Sequence, residues 1–164
     1  MQQTEGMIRS DETLQVIVFN LGDERYGVDI SQVREIIRPT QITRIPNAPD
    51  FVEGVINLRG QITTIINLRK RFGMEPKPID NDTRIIVVEF DNAVIGMMVD
   101  TVNEVKYLST SDIEALPSII TARDEAKFLK GVGKLPDGLL ILIDLGKVLS
   151  EEELLMTEEL SATA

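Results

Sequence analysis

The sequence predicts an all-β protein of two small barrels with few, short helices, built by internal duplication. Short apolar runs, tight-turn residues between them and two collinear repeats carry that expectation. FVEGVINLRGQITTIINLRKRF (51–72) lies over FLKGVGKLPDGLLILIDLGKVL (128–149) at a constant offset of 77. Phe51/Phe128, Gly54/Gly131, Val55/Val132, Leu58/Leu135, Ile66/Ile143, Leu68/Leu145 and Lys70/Lys147 coincide. A second match, YGVDISQVREI (26–36) over IGMMVDTVNEV (95–105), runs at offset 69 and aligns Gly27 with Gly96, Val33 with Val102 and Glu35 with Glu104. Two matches in the same order mark a duplicated unit. Many short strands with tight turns close into barrels because closure hides their edges.

Taken in order, LQVIVF (14–19) alternates as a strand, and the turn GDER leads into a second strand, YGVDI (26–30). Ser31 to Ile37 is expected to be a short helix ended by Pro39, because Arg38 precedes proline and avoids the α region. Two apolar strands follow with Arg59-Gly60 at the bend, and Asn67 is placed to cap a short helix over LRKRF. MEPKPIDND (74–82) is the seam between the copies. RIIVVEF and VIGMMV are split by Asp91-Asn92, residues that tolerate the positive φ of a two-residue hairpin. Pro136-Asp137-Gly138 turns the chain into LLILI, whose unbroken apolar run implies burial on both faces. Asp144 matches Asn67 as a cap for LGKVL, and Ser150 to Glu153 forms a capping box for a final helix.

Composition narrows the chemistry. The chain has no cysteine and no histidine, which removes thiolate metal sites, disulfides, the commonest general base and the usual partner of a nucleophilic serine. A carboxylate enzyme using Asp144 and Glu104 would need two acids in one cleft, and Asp144 is better explained as a helix cap. No cofactor and no metal are expected: Asp80-Asn81-Asp82 starts like a calcium loop but lacks its glycine and closing glutamate, so a polar turn is expected there. A formal charge of −10 argues against nucleic acid. The basic knot Arg69-Lys70-Arg71 is expected to be the solvated face of a short helix. Residues 1–11 hold no apolar region of the signal-peptide kind, and no run approaches a membrane span, so a cytoplasmic protein without membrane insertion is expected.

Arg59 is the residue that asks for an explanation. Its repeat counterpart is Pro136, so the fold does not require a cation there. It is either a surface arginine at a strand end or a groove arginine whose donors fork onto a partner's carboxylate or carbonyls. Glu35 is the internal mate expected for it, and with Val33 and Val105 nearby the expectation is an apolar floor with a charged edge. Such a composition suits a protein–protein groove.

The runs FNLGDERYGVDISQVREI, RIPNAPDFVEGVINLRGQITTIINLRKRFG and VIGMMVDTVNEV closely resemble the CheW adaptor family of bacterial and archaeal chemotaxis. The resemblance covers about residues 12–150, with NLRG and TIINL its most telling pieces. It implies two SH3-like five-stranded β-barrels around a shared core, with strands partly exchanged, the first barrel at about 12–75 and the second at about 83–145. Residues 1–11 would be a flexible tail and 150–164 a C-terminal helix and tail. It implies scaffolding rather than catalysis, with two partners: the regulatory domain of the histidine kinase CheA and the cytoplasmic tip of chemoreceptors, at membrane-associated arrays. By motif position Val33, Glu35, Arg59 and Val105 are implied in receptor binding, and Ile42 and Gly54 in kinase binding. Arg84 stands where relatives can have an apolar groove residue, and Thr64 where the pattern often has proline. The related CheV type carries an added receiver domain, which is not expected in this chain. An SH3-like peptide-binding module outside chemotaxis is the alternative reading.

Overall fold

The computed structural model describes residues 12–117 and 128–148. The expected N-terminal tail and the helix from Ser150 lie outside the described residues. The strands are β1 (Thr13–Leu21), β2 (Glu24–Asp29), β3 (Val33–Ile37), β4 (Val52–Leu58), β5 (Gln61–Asn67), β6 (Arg84–Phe90), β7 (Ala93–Val99), β8 (Thr101–Ser109), β9 (Ile113–Glu114), β10 (Leu129–Leu135) and β11 (Gly138–Ile143). Two one-turn helices follow the hairpins, α1 (Leu68–Arg71) and α2 (Leu145–Val148).

The strands form two SH3-like barrels. One sheet runs β8-β1-β2-β11-β10-β9 and the other β3-β6-β7-β5-β4. These are the same order read through the duplication, with β3 the counterpart of β8, β6 of β1, β7 of β2, β5 of β11 and β4 of β10. The two-residue β9 makes the first sheet six-stranded, and its counterpart is the single bridge of Thr43 to Val55. Each sheet draws on both halves of the chain. β3 leaves its hairpin to pair with β6, and β8 leaves its own to pair with β1.

Three apolar clusters follow from this exchange. Val16, Val18, Leu108, Leu140 and Leu142 fill the six-stranded barrel, and Ile56, Ile65, Ile85, Val87 and Met98 fill the five-stranded one. Between the sheets lies the largest cluster, with Ile17, Phe19, Tyr26, Ile66, Ile86, Met97, Phe128 and Ile143 among its members. Alternation explains the division, since successive residues of β1 point into different clusters. Phe19, Tyr26, Phe72 and Phe128 form a chain of ring contacts with centroids 5.5–5.8 Å apart.

The turns carry the expected chemistry. Asp91 and Asn92 have φ of 53° and 69°, and Arg59 and Gly60 have φ of 49° and 87°, the double positive of a type I′ hairpin. Asn67 accepts from Lys70 N at 3.2 Å and Asp144 from Gly146 N at 3.0 Å, so both caps are in place. Asp80 accepts from the N–H groups of Asp82 and Thr83, closing the polar turn on itself.

Three expectations change. Ser31–Ile37 is not a helix: a 3-10 turn over Ile30–Gln32, capped by the Asp29 carboxylate, delivers strand β3. Val33, Glu35 and Ile37 are less exposed than Arg34 and Ile36, a period of two rather than 3.6. In LLILI, Leu140, Leu142 and Ile143 are buried and Ile141 is half-buried against the central cluster, but Leu139 beside the turn is 63% exposed. The basic knot is not a solvated face. Arg69 donates to both carboxylate oxygens of Asp100, at 2.8 and 2.5 Å, Lys70 pairs with Glu53 at 3.3 Å, and Arg71 lies between two phenylalanine rings. Arg84, half-buried, donates to the carbonyls of Asn81 and Thr83, both at 2.8 Å, and fastens the end of the seam.

Asp100 joins the sheets where β7 passes into β8. Its carboxylate accepts from Arg69 on α1 and from Gly22 N in the β1–β2 turn at 2.8 Å. Burial works to raise its pKa, but the hydrogen bonds from Arg69 and Gly22 and the neighbouring cations outweigh it and hold the carboxyl below the usual range. A depressed carboxyl stabilises the fold above its unfolded pKa, about 3.9, and loses that effect as pH falls through its folded value. Asp100→Asn should therefore cost about 1.5–3 kcal/mol at pH 7. In urea titrations from pH 7 to pH 3 the gap between wild type and variant should narrow below about pH 4.

Candidate functional site

Arg59 and Glu35 meet, as an ion pair, at the mouth of the five-stranded barrel. β3 and β4 are the two edges of that sheet, so a contact from the β4–β5 turn to β3 spans the seam where the barrel closes. Asn57 accepts from Gly60 N at 2.8 Å and holds the turn in shape. The Arg59 side chain is 69% exposed and that of Glu35 is 28% exposed. Beneath the pair lies an open cleft of about 240 Å³, lined by Arg34, Leu58, Gln61, Val87 and Val94 as well. Val87 belongs to the barrel's own core and Leu58 and Val94 pack against it, while most of the surface the cleft exposes is polar.

Val33 does not share this cleft. A bulge sets Val33 opposite Val88 and Glu35 opposite Val87, with Arg34 left out of register. Val33 therefore packs on the central cluster while Glu35 faces the barrel mouth. The duplicate position has the same bulge, with Val102 opposite Phe19 and Glu104 opposite Val18. Val105 stands opposite Ile17, a member of the central cluster, and is 41% exposed on the edge strand β8. Glu35 and Arg59 are thus brought together, and Val33 and Val105 lie along the rim of the central core.

An exposed apolar residue on the same strand as Val33 and Glu35 was not singled out by the sequence reading. Ile36 stands opposite Ile86 of the central cluster and is 38% exposed. It is the counterpart of Val105 at offset 69, so the repeat alignment itself contained the signal.

Ile42 and Gly54 are direct neighbours. Thr43 and Val55 exchange backbone hydrogen bonds of 2.9 and 2.8 Å beside Gly54. Gly54 has φ 148° at a bulge, and a Cβ there would lie 2.2 Å from the Thr43 carbonyl oxygen and 2.9 Å from Ile42. Gly131 repeats the arrangement against Glu114 and Ile113. Asp144 and Glu104 do not form an acid pair: the first caps α2 and the second pairs with Lys106 on β8 at 3.7 Å. Among the described residues no helix is long and apolar enough to cross a membrane.

A duplicated SH3-like fold that opens a barrel mouth and an apolar rim to its surroundings defines a protein–protein adaptor. The chain belongs to the CheW family of chemotaxis adaptors, since the CheW-like domain matches residues 15–153. It is 41% identical over 146 residues to the chemotaxis protein CheW of Klebsiella aerogenes, covering 88% of this chain and 87% of that protein. CheW of Helicobacter pylori is 34% identical over 143 residues, covering 87% and 86% respectively. The crystal structure of the scaffolding protein TtCheW from Thermoanaerobacter tengcongensis is similar with a TM-score of 0.77 and 38% identity, over 85% of this chain and 94% of that one.

Two glycine substitutions separate packing from strain. Gly54→Ala should cost about 2–4 kcal/mol, because backbone must move to admit the methyl. Gly60→Ala, with nothing within 4 Å of its Cβ, should cost only about 1 kcal/mol of positive-φ strain. Urea midpoints of the two variants check this directly.

Proposed function

We propose that this chain is a non-enzymatic adaptor that couples the cytoplasmic tips of chemoreceptors to the histidine kinase CheA, in the cytoplasm at membrane-associated arrays. The CheW-like unit of about residues 12–150 would do this through two surfaces. Val33, Glu35, Arg59 and Val105 form the receptor surface, with Ile36 extending its apolar part. Ile42 and Gly54 belong to the kinase surface, on the strand pair that the glycine bulge brings together.

The observation that carries this reading is the backbone of Arg59. An exposed two-residue hairpin with both φ positive favours Asn-Gly or Asp-Gly, and a side chain such as arginine is disfavoured there. The ion pair to Glu35 does not repay that cost, since an exposed pair contributes about 0–1 kcal/mol. Local stability is sacrificed at a solvent-facing guanidinium, and such outliers gather where a protein binds. A receptor helix lying along the free edge of β3 would place apolar anchors at i, i+3 and i+4 on Val33, Ile36 and Val105. Arg59 would then supply the directional contact, from the mouth side of the same strand. Weak contacts of this kind hold an array because linked sites raise effective concentration.

Arg59→Asn should keep or raise stability by up to about 1 kcal/mol, the turn being better suited to asparagine. Both Arg59→Asn and Arg59→Glu should lose receptor-tip binding by about 2–5 kcal/mol, with CheA binding unchanged. Titration of a receptor-tip fragment by calorimetry decides the matter: wild-type affinity in Arg59→Glu overturns the assignment.

A further inference from the structure

Arg71 lies where the two barrels meet, and its surroundings are unlike those of any other cation in the described structure. Its guanidinium carbon is 4.6 Å from the centre of the Phe51 ring and 4.4 Å from that of Phe128. These two phenylalanines are repeat equivalents, and each ties down its own hairpin: Asn67 N donates to Phe51 O and Asp144 N to Phe128 O, both at 2.8 Å. Arg71 Nε donates to the carbonyl of Val148 at 2.6 Å. Val148 is itself the counterpart of Arg71 at offset 77, so the duplication breaks its symmetry here and spans the break with one side chain. Two positions earlier, Arg69 reaches the other sheet through Asp100, where the counterpart helix has Gly146.

Apolar contact is non-directional, and a central core of aliphatic and aromatic side chains tolerates small rotations of one sheet on the other. A planar guanidinium held between two rings and a carbonyl does not, because stacking and the hydrogen bond fix its plane and its direction together. Phe51 and α1 belong to the five-stranded barrel, whereas Phe128 and Val148 flank the hairpin of the six-stranded one. We infer that Arg71 is a positioning residue that fixes the angle between the barrels, and so the geometry in which the two partner surfaces face outward. That consequence for partners rests on the adaptor reading above, but the angle itself does not.

The absence of native cysteine allows paired spin labels at two engineered cysteines, Asn81→Cys before β6 and Leu139→Cys on β11, one exposed site for each sheet. Pulsed dipolar spectroscopy on the otherwise unchanged chain should give one narrow distance distribution. Arg71→Met, which keeps the stem and removes the charge and the donor, should broaden it at least twofold while unfolding stays a single cooperative transition. Should Arg71→Met fail to fold, Arg71→Lys takes its place, since it keeps a cation but cannot stack between both rings, and broadening is again expected. An unchanged width in the folded variant overturns the inference. A parallel measurement separates it from the adaptor reading: the variant should bind receptor tip and kinase domain singly within about twofold of wild type, and lose at least fivefold in assembling both. Failure of wild type to bind either partner sinks the adaptor reading alone, whereas full joint assembly by the variant sinks the link between angle and assembly.

Discussion

Strands β3 and β8 each leave the hairpin before them and complete the opposite sheet, and the apolar residues between the sheets cannot be buried unless both crossings are made. Ile17, Phe19, Ile86 and Val88 face this central cluster from β1 and β6, the two strands that receive the crossings. Burial of this cluster therefore couples the barrels into one cooperative unit. The edges on which the candidate site is built, β3 and β8, are the same strands that make the exchange. The proposed partner surface is thus held by the strands that make the exchange.

The duplication explains what is shared, and its departures explain what is particular. Both copies have a glycine at the bulge of the fourth strand, a flanking segment laid against it and a capped one-turn helix after the hairpin. Arg59 against Pro136, Arg71 against Val148 and Arg69 against Gly146 are three places where the first copy has an arginine and the second has none. Two of those arginines join the barrels and the third is exposed at a barrel mouth.

Much of this was legible in the sequence because glycines and alternating apolar residues report backbone geometry directly. Gly27 and Gly96 matched at offset 69, and in the structure both sit in parallel pairings, against β11 and β5. The meeting of Arg59 with Glu35 was legible from their places at the barrel rim. What escaped was non-local. Arg69, Lys70 and Arg71 read as solvated because their partners are distant, Asp100 by 31 residues and Val148 by 77. Val33 was expected on the floor beside Glu35 and Arg59, and the bulge that skips Arg34 and turns Val33 to the central cluster leaves no mark on the pattern. Ser31–Ile37 read as helix because its four polar or charged residues and three aliphatic ones fit either period; the Asp29 cap opens only a three-residue turn, and Val33 already has extended backbone.

The central claim is that one rigid molecule offers two separate surfaces to two different proteins and performs no reaction on either. Sedimentation velocity of the chain with a receptor-tip fragment and the kinase regulatory domain tests it most directly. The account requires a species containing all three components, with saturating receptor fragment leaving kinase-domain binding intact. Displacement of one partner by the other would contradict it.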